Sequence, residues 1–184
     1  MKATDEQLMV RYRNGDGAAF DTLYRRHRGP VFRYIQRLSH AGEDVESLYQ
    51  DAWMRVIRAR GQWDPAQPFR PWLYRIAHNR VVDAWRTTGR VEIEGGEALD
   101  EVAGHAPAMD AMQLLRDCVK RLMVLLSSLP EAQRSAFLLK EEAGLSLAQI
   151  GEVTGVERET VKSRLRYALK RLRDGLEGCD ERTG

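Results

Sequence analysis

Apolar residues recur along this chain at intervals of three and four, and alternation with a period of two is nearly missing. After a Thr4 or Asp5 cap, Leu8, Met9 and Tyr12 mark the face of a first helix, which Asn14-Gly15-Asp16-Gly17 ends. Phe20, Leu23, Tyr24, Val31, Ile35 and Leu38 predict a second over about 18–38, bent or interrupted at Gly29-Pro30. Val45, Leu48, Tyr49, Ala52, Trp53, Val56 and Ile57 predict a third over about 43–60. The loop GQWDPAQP (61–68) separates it from a fourth over about 69–87, which carries Trp72, Leu73, Ile76, Val81 and Trp85 and has Pro71 in its first turn. Residues 89–107 are rich in Gly, Glu and Asp and read as a flexible acidic linker. The helical pattern resumes near Ala108, runs through Leu126 and starts again from Pro130 to Glu142. The one period-two run, VEIE at 91–94, is too short to argue for a sheet. The pattern predicts an all-α protein with two small helical domains, 1–88 and 108–184, on either side of the linker.

The second domain ends in the most informative stretch, GLSLAQIGEVTGVERETVKSRLRYALKRLR, Gly144 to Arg173. Ser146 is a good N-cap ahead of Leu147, Ile150 and Val153 on one face. Gly155 supplies a turn, and Val156, Val161, Leu165, Leu169, Leu172 and Leu176 continue the apolar pattern beyond it. Arg158, Glu159, Lys162, Ser163 and Arg166 occupy the opposite face. Two short helices across a tight turn, the second with a donor-rich N-terminal half, have the form of a helix-turn-helix that reads the major groove. The plainer alternative is a surface hairpin with a solvated charged face.

Charge changes the picture. The 184 residues carry a net charge of only +2, distributed as +6 over 1–90, −4 over 91–128 and zero over 129–184. A self-sufficient DNA binder usually carries more positive charge, because phosphate neutralisation supplies most non-specific affinity. The map suits a subunit of a larger assembly. No apolar run approaches the ~20 residues of a membrane span, and the polar start MKATDEQL predicts no secretory signal and a cytoplasmic protein. Cys118 and Cys179 form neither a disulfide framework nor a CxxC pair, and Cys118, in the run MQLLRDCVKRLM, is expected in core packing rather than in a redox pair. His27, His40, His78 and His105 are scattered, without HExxH or Cys/His ligand spacing, and no phosphate loop or GxSxG elbow occurs. Neither an enzyme nor a metal or other cofactor is expected.

Between Trp63 and Arg86, Trp63, Phe69, Trp72, Tyr74 and Trp85 interleave with Arg70, Arg75, Arg80 and Arg86, a composition that suits unpaired bases and their backbone. Trp72 sits at core spacing, whereas Trp63 in the loop and Trp85 near a helix end are expected to be freer. Asn79, Arg80, Asp83 and Arg86 share a polar face that either reads base edges or forms a solvated salt-bridge surface. On the third helix, Asp44, Glu46, Gln50, Asp51 and Arg55 lie beside Tyr49 and Trp53, which are expected to be partly exposed.

The segments DVESLYQDAWMRVIRA (44–59) and PFRPWLYRIAHNRVVDAWR (68–86) resemble the region-two motifs of extracytoplasmic-function (ECF) sigma factors of bacterial RNA polymerase, and 129–173 is similar to their region four. The resemblance implies that Asp44, Leu48, Tyr49, Gln50, Asp51 and Trp53 lie on the helix that docks on the polymerase clamp. It implies that the 61–68 loop, with Gln62 and Trp63, receives a base flipped from the −10 element, flanked by Asn79, Arg80, Asp83 and Arg86. Arg158, Glu159, Thr160, Lys162, Ser163, Arg164 and Arg166 would read and clamp the −35 element. Implied partners are core RNA polymerase (its clamp and the surface facing the upstream element), promoter DNA and an anti-sigma protein. Ser47 stands where an acidic residue is common in the family, and Tyr49 replaces a small aliphatic. The rival readings are a stand-alone homodimeric repressor, which needs a dimerisation helix, and more distantly a nuclease built on His78, Asn79 and Asp83.

Overall fold

The computed structural model describes residues 3–87, 111–177 and 179. Helices α1 (Asp5–Arg13), α2 (Gly17–Leu38), α3 (Val45–Arg58) and α4 (Phe69–Thr87) form the N-terminal half of the fold. Helices α5 (Ala111–Ser128), α6 (Glu131–Glu141), α7 (Leu147–Thr154) and α8 (Arg158–Leu176) form the C-terminal half. No strand occurs among the described residues, and the expected acidic linker lies outside them.

Local chemistry sets the helix starts. The Thr4 hydroxyl accepts from the Gln7 amide at 3.2 Å while the Gln7 side chain accepts from the Thr4 amide at 3.0 Å, and Ser146 and Gln149 repeat this reciprocal cap on α7. Asp16 and Asp44 cap α2 and α3 through their carboxylates. Of the bend or interruption expected at Gly29-Pro30, the interruption does not occur: α2 runs through both residues. Proline forfeits one backbone bond, but Val31, Tyr34, Ile35 and Leu38 immediately beyond it are fully buried, and that burial outweighs the loss.

The turn between α7 and α8 depends on two glycines. Gly155 ends α7 at φ 70°, in the left-handed region. At Gly151 a Cβ would lie 2.6 Å from the Val156 carbonyl oxygen, closer than any side chain tolerates. The Val156 amide donates to the Gly151 carbonyl at 3.1 Å, which pulls the turn back onto α7. Along α8, Val161, Leu165, Ala168 and Leu172 face inward. Leu169, expected in the core, is 47% exposed, because the stripe on a 3.6-residue helix passes through Ala168 instead.

The two halves share one core. Trp72, Leu73, Tyr74 and Ala77 of α4 belong to the same buried cluster as Ala136, Leu138, Leu139, Leu145, Ile150 and Val153 of α6, α7 and the connection between them. Polar links cross the same seam. Glu142 pairs with Arg33 at 3.1 Å and with Arg37, Glu131 with His40 at 2.6 Å, and Arg70 donates to the Ala143 carbonyl at 3.4 Å. At its centre, His78 Nδ1 lies 3.0 Å from the Tyr34 hydroxyl and 3.2 Å from that of Ser135. A smaller cluster of Leu126, Leu129, Ala168 and Leu172 joins α5 to α8. Cys118, expected in core packing, is instead bonded to Cys179 just beyond the end of α8. The correction has a geometric cause: α5 and α8 run antiparallel, so residues 61 apart in sequence meet where the seam ends.

Burial lowers the His78 pKa from 6.5 to about 4, with the positive charge of Arg164 adding to the effect. The folded pKa is the depressed one, so protons favour the unfolded or opened chain between pH 6.5 and 4, and stability falls as the pH falls through that window. The expected cost at pH 5 is about 2 kcal/mol relative to neutral pH. Denaturant titrations at pH 7.5 and 5.0 check this, with His78→Gln losing that part of the difference. An equal pH dependence in both chains rules His78 out as its source.

Candidate nucleic-acid interface

The N-terminal half of α8 is a free-standing row of donors. Arg158, Glu159, Thr160, Lys162, Ser163 and Arg166 are exposed, while Val161 and Leu165 between them are buried. Its contacts are local and exposed: Lys162 lies 3.6 Å from Glu159, and Arg166 sits over the ring of the neighbouring Tyr167 at 5.1 Å. Arg164 differs: it is half-buried on the side of α8 that faces His78. The row therefore projects from a helix whose position is fixed by the Gly151 and Gly155 turn, which suits contact with base edges and phosphates.

The polar face of α4 splits into two parts. Arg80 Nε bonds to Asp51 at 3.0 Å and Arg55 to Asp83 at 3.0 Å, so α3 and α4 are tied by two ion pairs. Asn79 and Arg86 stay exposed, in line with Arg75 one turn earlier. Arg75, one of the interleaved arginines, was not placed on the polar face with Asn79 and Arg86, although the spacing 75, 79, 86 marks one stripe of a helix. Exposed ion pairs such as Arg80–Asp51 are worth only ~0–1 kcal/mol, so a phosphate can take over the arginine at little cost.

Within the loop, Gln62 ends a 3-10 turn (Arg60–Gln62) and is exposed. Trp63 is not free to stack: it is 1% exposed, it fills the core, and its carbonyl accepts from Arg13 at 3.3 Å. Trp85 is likewise buried, against the ring of His40. A lone tryptophan in a Gly/Pro-rich loop gave no signal of this, because burial was decided by α1 packing over the loop. The exposed part is Asp64 to Pro68, shaped by the Ala66 amide bonding to the Asp64 carboxylate at 2.9 Å. Beside it lies a cavity of about 290 Å³ lined by Gln67, Trp72 and Arg75, with Glu152 and Val153 of α7 on its far side.

On α3 the expected set also divides. Leu48 is buried, and Tyr49 (8%) and Trp53 (5%) are buried rather than partly exposed. They pack in an aromatic cluster, with Trp53 4.9 Å from the Tyr24 ring and Tyr49 5.4 Å from that of Phe32. The outer face consists of Asp44, Glu46, Ser47, Gln50, Asp51, Met54, Arg55 and Arg58. Met54, an exposed large apolar residue in the middle of this face, went unrecognised. The spacing 47, 50, 54, 58 points to it.

His78 is sealed between Tyr34 and Ser135, where no phosphodiester reaches it, and this removes the nuclease reading. Among the described residues no cluster of three His, Cys, Asp or Glu is placed to hold a metal, and no helix is long and apolar enough to cross a membrane.

Sequence comparison decides the family. Residues 23–91 match Sigma-70 region 2 and residues 120–172 match Sigma-70, region 4. The RNA polymerase sigma factor CarQ of Myxococcus xanthus is 30% identical over 91% of this chain and 95% of its own length, and the ECF RNA polymerase sigma factor SigF of Caulobacter vibrioides is 32% identical over 94% of both. The chain belongs to the ECF RNA polymerase sigma factors. The ECF RNA polymerase sigma factor SigE of Mycolicibacterium smegmatis is 37% identical over 88% of this chain, which spans 64% of that protein's length. The fold is that of CnrH in complex with the cytosolic domain of CnrY (TM-score 0.69, 24% identity, 94% of this chain and 97% of that one). It is also that of the Bartonella quintana sigma factor RpoE in complex with the anti-sigma factor NepR (TM-score 0.67, 22% identity, 86% and 97%). As a sigma factor, the protein directs transcription initiation at promoters.

Because Trp63 is a core residue, Trp63→Ala is expected to cost ~3–5 kcal/mol of stability. Gln62→Ala and Gln67→Ala, on exposed turns, are expected to stay within ~0.5 kcal/mol. Chemical denaturation of the three variants measures the difference, and a neutral Trp63→Ala contradicts the packing role.

Proposed function

We propose that this sigma factor divides promoter recognition between its two exposed polar surfaces. The N-terminal half of α8, through Arg158, Glu159, Thr160, Lys162, Ser163 and Arg166, reads the duplex −35 element, with Arg164 clamping from the flank. Asn79 and Arg86, together with Arg80, Asp83 and the loop from Gln62 to Pro68, take the opened −10 strand. The buried Trp63 supports that loop from beneath. The outer face of α3 docks on the polymerase clamp through Asp44, Gln50, Asp51 and its neighbour Met54, while Leu48, Tyr49 and Trp53 hold the helix in place. The observation that carries this reading is the exposed donor row of α8, set by a glycine-tight turn, in a chain whose other half bears a second exposed polar stripe.

Duplex readout rests on major-groove hydrogen bonds worth ~1–3 kcal/mol per good base contact. Strand opening costs a few kcal/mol per unstacked base, which contacts to polymerase and to the flipped base must offset. In the closed arrangement α7 walls one side of the cavity beside the loop, so the halves part before both surfaces engage a promoter. The protein works in the cytoplasm, where RNA polymerase is, and acts as a regulator rather than as an enzyme. An anti-sigma protein that holds the halves together or covers α3 keeps it inactive, as the partners named for CnrH and RpoE suggest. The match to both sigma regions favours this reading over the stand-alone repressor.

Arg158→Ala and Lys162→Ala are expected to lower initiation about ten-fold at promoters with a good −35 element, leaving polymerase binding intact. Asn79→Ala and Arg86→Ala are expected to impair opening and to be rescued in part by a pre-melted −10 bubble. In vitro transcription with core polymerase separates the two classes, and equal rescue of both would mean that the proposed division is wrong. Gel filtration of the chain with core polymerase tests the docking itself. A chain that forms no holoenzyme, or that binds an inverted repeat tightly alone, overturns the sigma mechanism for this protein.

A further inference from the structure

The bond between Cys118 and Cys179 occupies the one place where the α5–α8 seam runs out of packing. The C-terminal half of α5 is well seated. Leu126 is buried, and Leu125 packs so closely on Gly175 that a Cβ there would lie 2.5 Å from it. The N-terminal half is not. Met112 (56%) and Leu115 (54%) are exposed, Val119 is exposed as well, and no residue from 112 to 121 belongs to a buried cluster. Helix α8 ends at Leu176, so the first turns of α5 overhang it across an open groove of about 380 Å³ lined by Leu114, Leu122, Arg173 and both cysteines. The cross-link is what fastens this overhang.

We propose that Cys118 and Cys179 are a reversible thiol–disulfide switch that locks and releases the N-terminal half of α5. This rests on the reading above that the protein works in the cytoplasm, where glutathione and thioredoxin-type dithiols keep structural disulfides rare and redox-sensing ones recur. The two Cα atoms are 6.0 Å apart, within the range that a disulfide spans without backbone movement. Both cysteines are half-buried in the groove, whose charged lining is Arg173 and Glu177, so small reagents reach them.

The oxidant is a peroxide. One thiolate attacks an oxygen of H2O2, breaks the O–O bond and becomes a sulfenic acid as hydroxide leaves. The second thiolate attacks that sulfur, forms the S–S bond and expels a second hydroxide. With the two thiol protons the products are the disulfide and two waters, the cysteines having lost the two electrons that peroxide gains. The reductant is a dithiol. Its thiolate opens the S–S bond through a mixed disulfide, its second thiol resolves that bond, and both cysteines return as thiols. Oxidised, the overhang stays on α8. Reduced, its described apolar anchors on α8 are half-buried Leu114 and Leu122, and the segment is released while the α8 donor row is untouched.

The test uses the full chain treated with hydrogen peroxide or dithiothreitol, maleimide trapping of thiols, and amide hydrogen exchange. Peroxide should leave no trappable thiol and dithiothreitol should give two, through repeated cycles. Reduction should speed exchange at residues 112–121 at least ten-fold, with 158–166 and 45–58 unchanged. The double variant Cys118→Ser, Cys179→Ser should match the reduced chain under both treatments. Thiols that remain after peroxide overturn the proposal, as does exchange indifferent to redox state. A bond that survives a reducing glutathione buffer makes the pair a permanent staple and also overturns it. None of these readouts involves polymerase or DNA, so their failure leaves the sigma reading standing, and failure to form holoenzyme leaves the chemistry of the pair intact.

Discussion

Helix α4 is buried around most of its circumference, and the remainder of the molecule is arranged to cover it. Phe69, Pro71, Trp72, Leu73, Tyr74, Ala77, His78, Val81 and Trp85 are all buried. An amphipathic helix needs a neighbour on one side, whereas a helix apolar on nearly all sides must be surrounded. Helices α1, α2 and α3 cover α4 from the N-terminal half, and α7 from the C-terminal half. At ~25 cal/mol per Å² of apolar surface removed from water, the aromatic residues of this one helix supply a large share of what holds the closed arrangement together. The same constraint confines the outward side of α4 to a narrow stripe of Arg75, Asn79 and Arg86, with Arg70 and Thr87 exposed at its ends.

The seam created in this way is mixed, and that makes it separable. Its apolar part sits on α7 and the end of α6, while its rim consists of Arg33 and Arg37 on Glu142 and His40 on Glu131, all partly reached by water. Rim pairs of this kind exchange protein partners for water at little net cost. The Tyr34–His78–Ser135 cluster satisfies the polar groups that would otherwise be stranded when the halves close. Interfaces between halves of one chain behave like transient protein–protein contacts unless they are large and wholly apolar. Closure and opening are thus both within reach of modest energies, which a protein that must span two separated promoter elements requires.

Helix identity and order were legible because each helix repeats its apolar residues at the right period and most carry their own start signals, such as Thr4 with Gln7 and Ser146 with Gln149. The helix-turn-helix was legible for the same reason, with Gly155 marking its turn. What failed to show was the direction in which individual large residues point. Tyr49 and Trp53 follow the apolar period of α3 but carry polar atoms beside charged neighbours and were expected to stay partly exposed, and Trp63 sits in a loop. Tertiary packing by Tyr24, Phe32 and α1 took them into the core. The Cys118–Cys179 bond was hidden by a separation of 61 residues and by the apolar company of Cys118. On the polar face of α4 the salt-bridge reading holds for Arg80 and Asp83, which are ion-paired, while Asn79 and Arg86 are exposed.

On the proposed division of promoter recognition, the charge distribution explains why two weak reading surfaces suffice. Residues 129–184 carry no net charge as a whole, and Glu159 lies within the donor row itself, so the acidic residues around the basic α8 limit the general attraction of this half for DNA. The N-terminal half is more basic, yet Arg55 and Arg80 are already matched by carboxylates, which lowers non-specific attraction there too. Low non-specific affinity costs a solitary binder its grip, but it benefits a subunit. Tethered to a polymerase that supplies the bulk attraction, each surface has only to discriminate, and a binding step confined to one molecule gains from effective concentration rather than from charge. The even balance of acid and base is therefore a consequence of working as part of a larger enzyme, in which specificity is worth more than affinity.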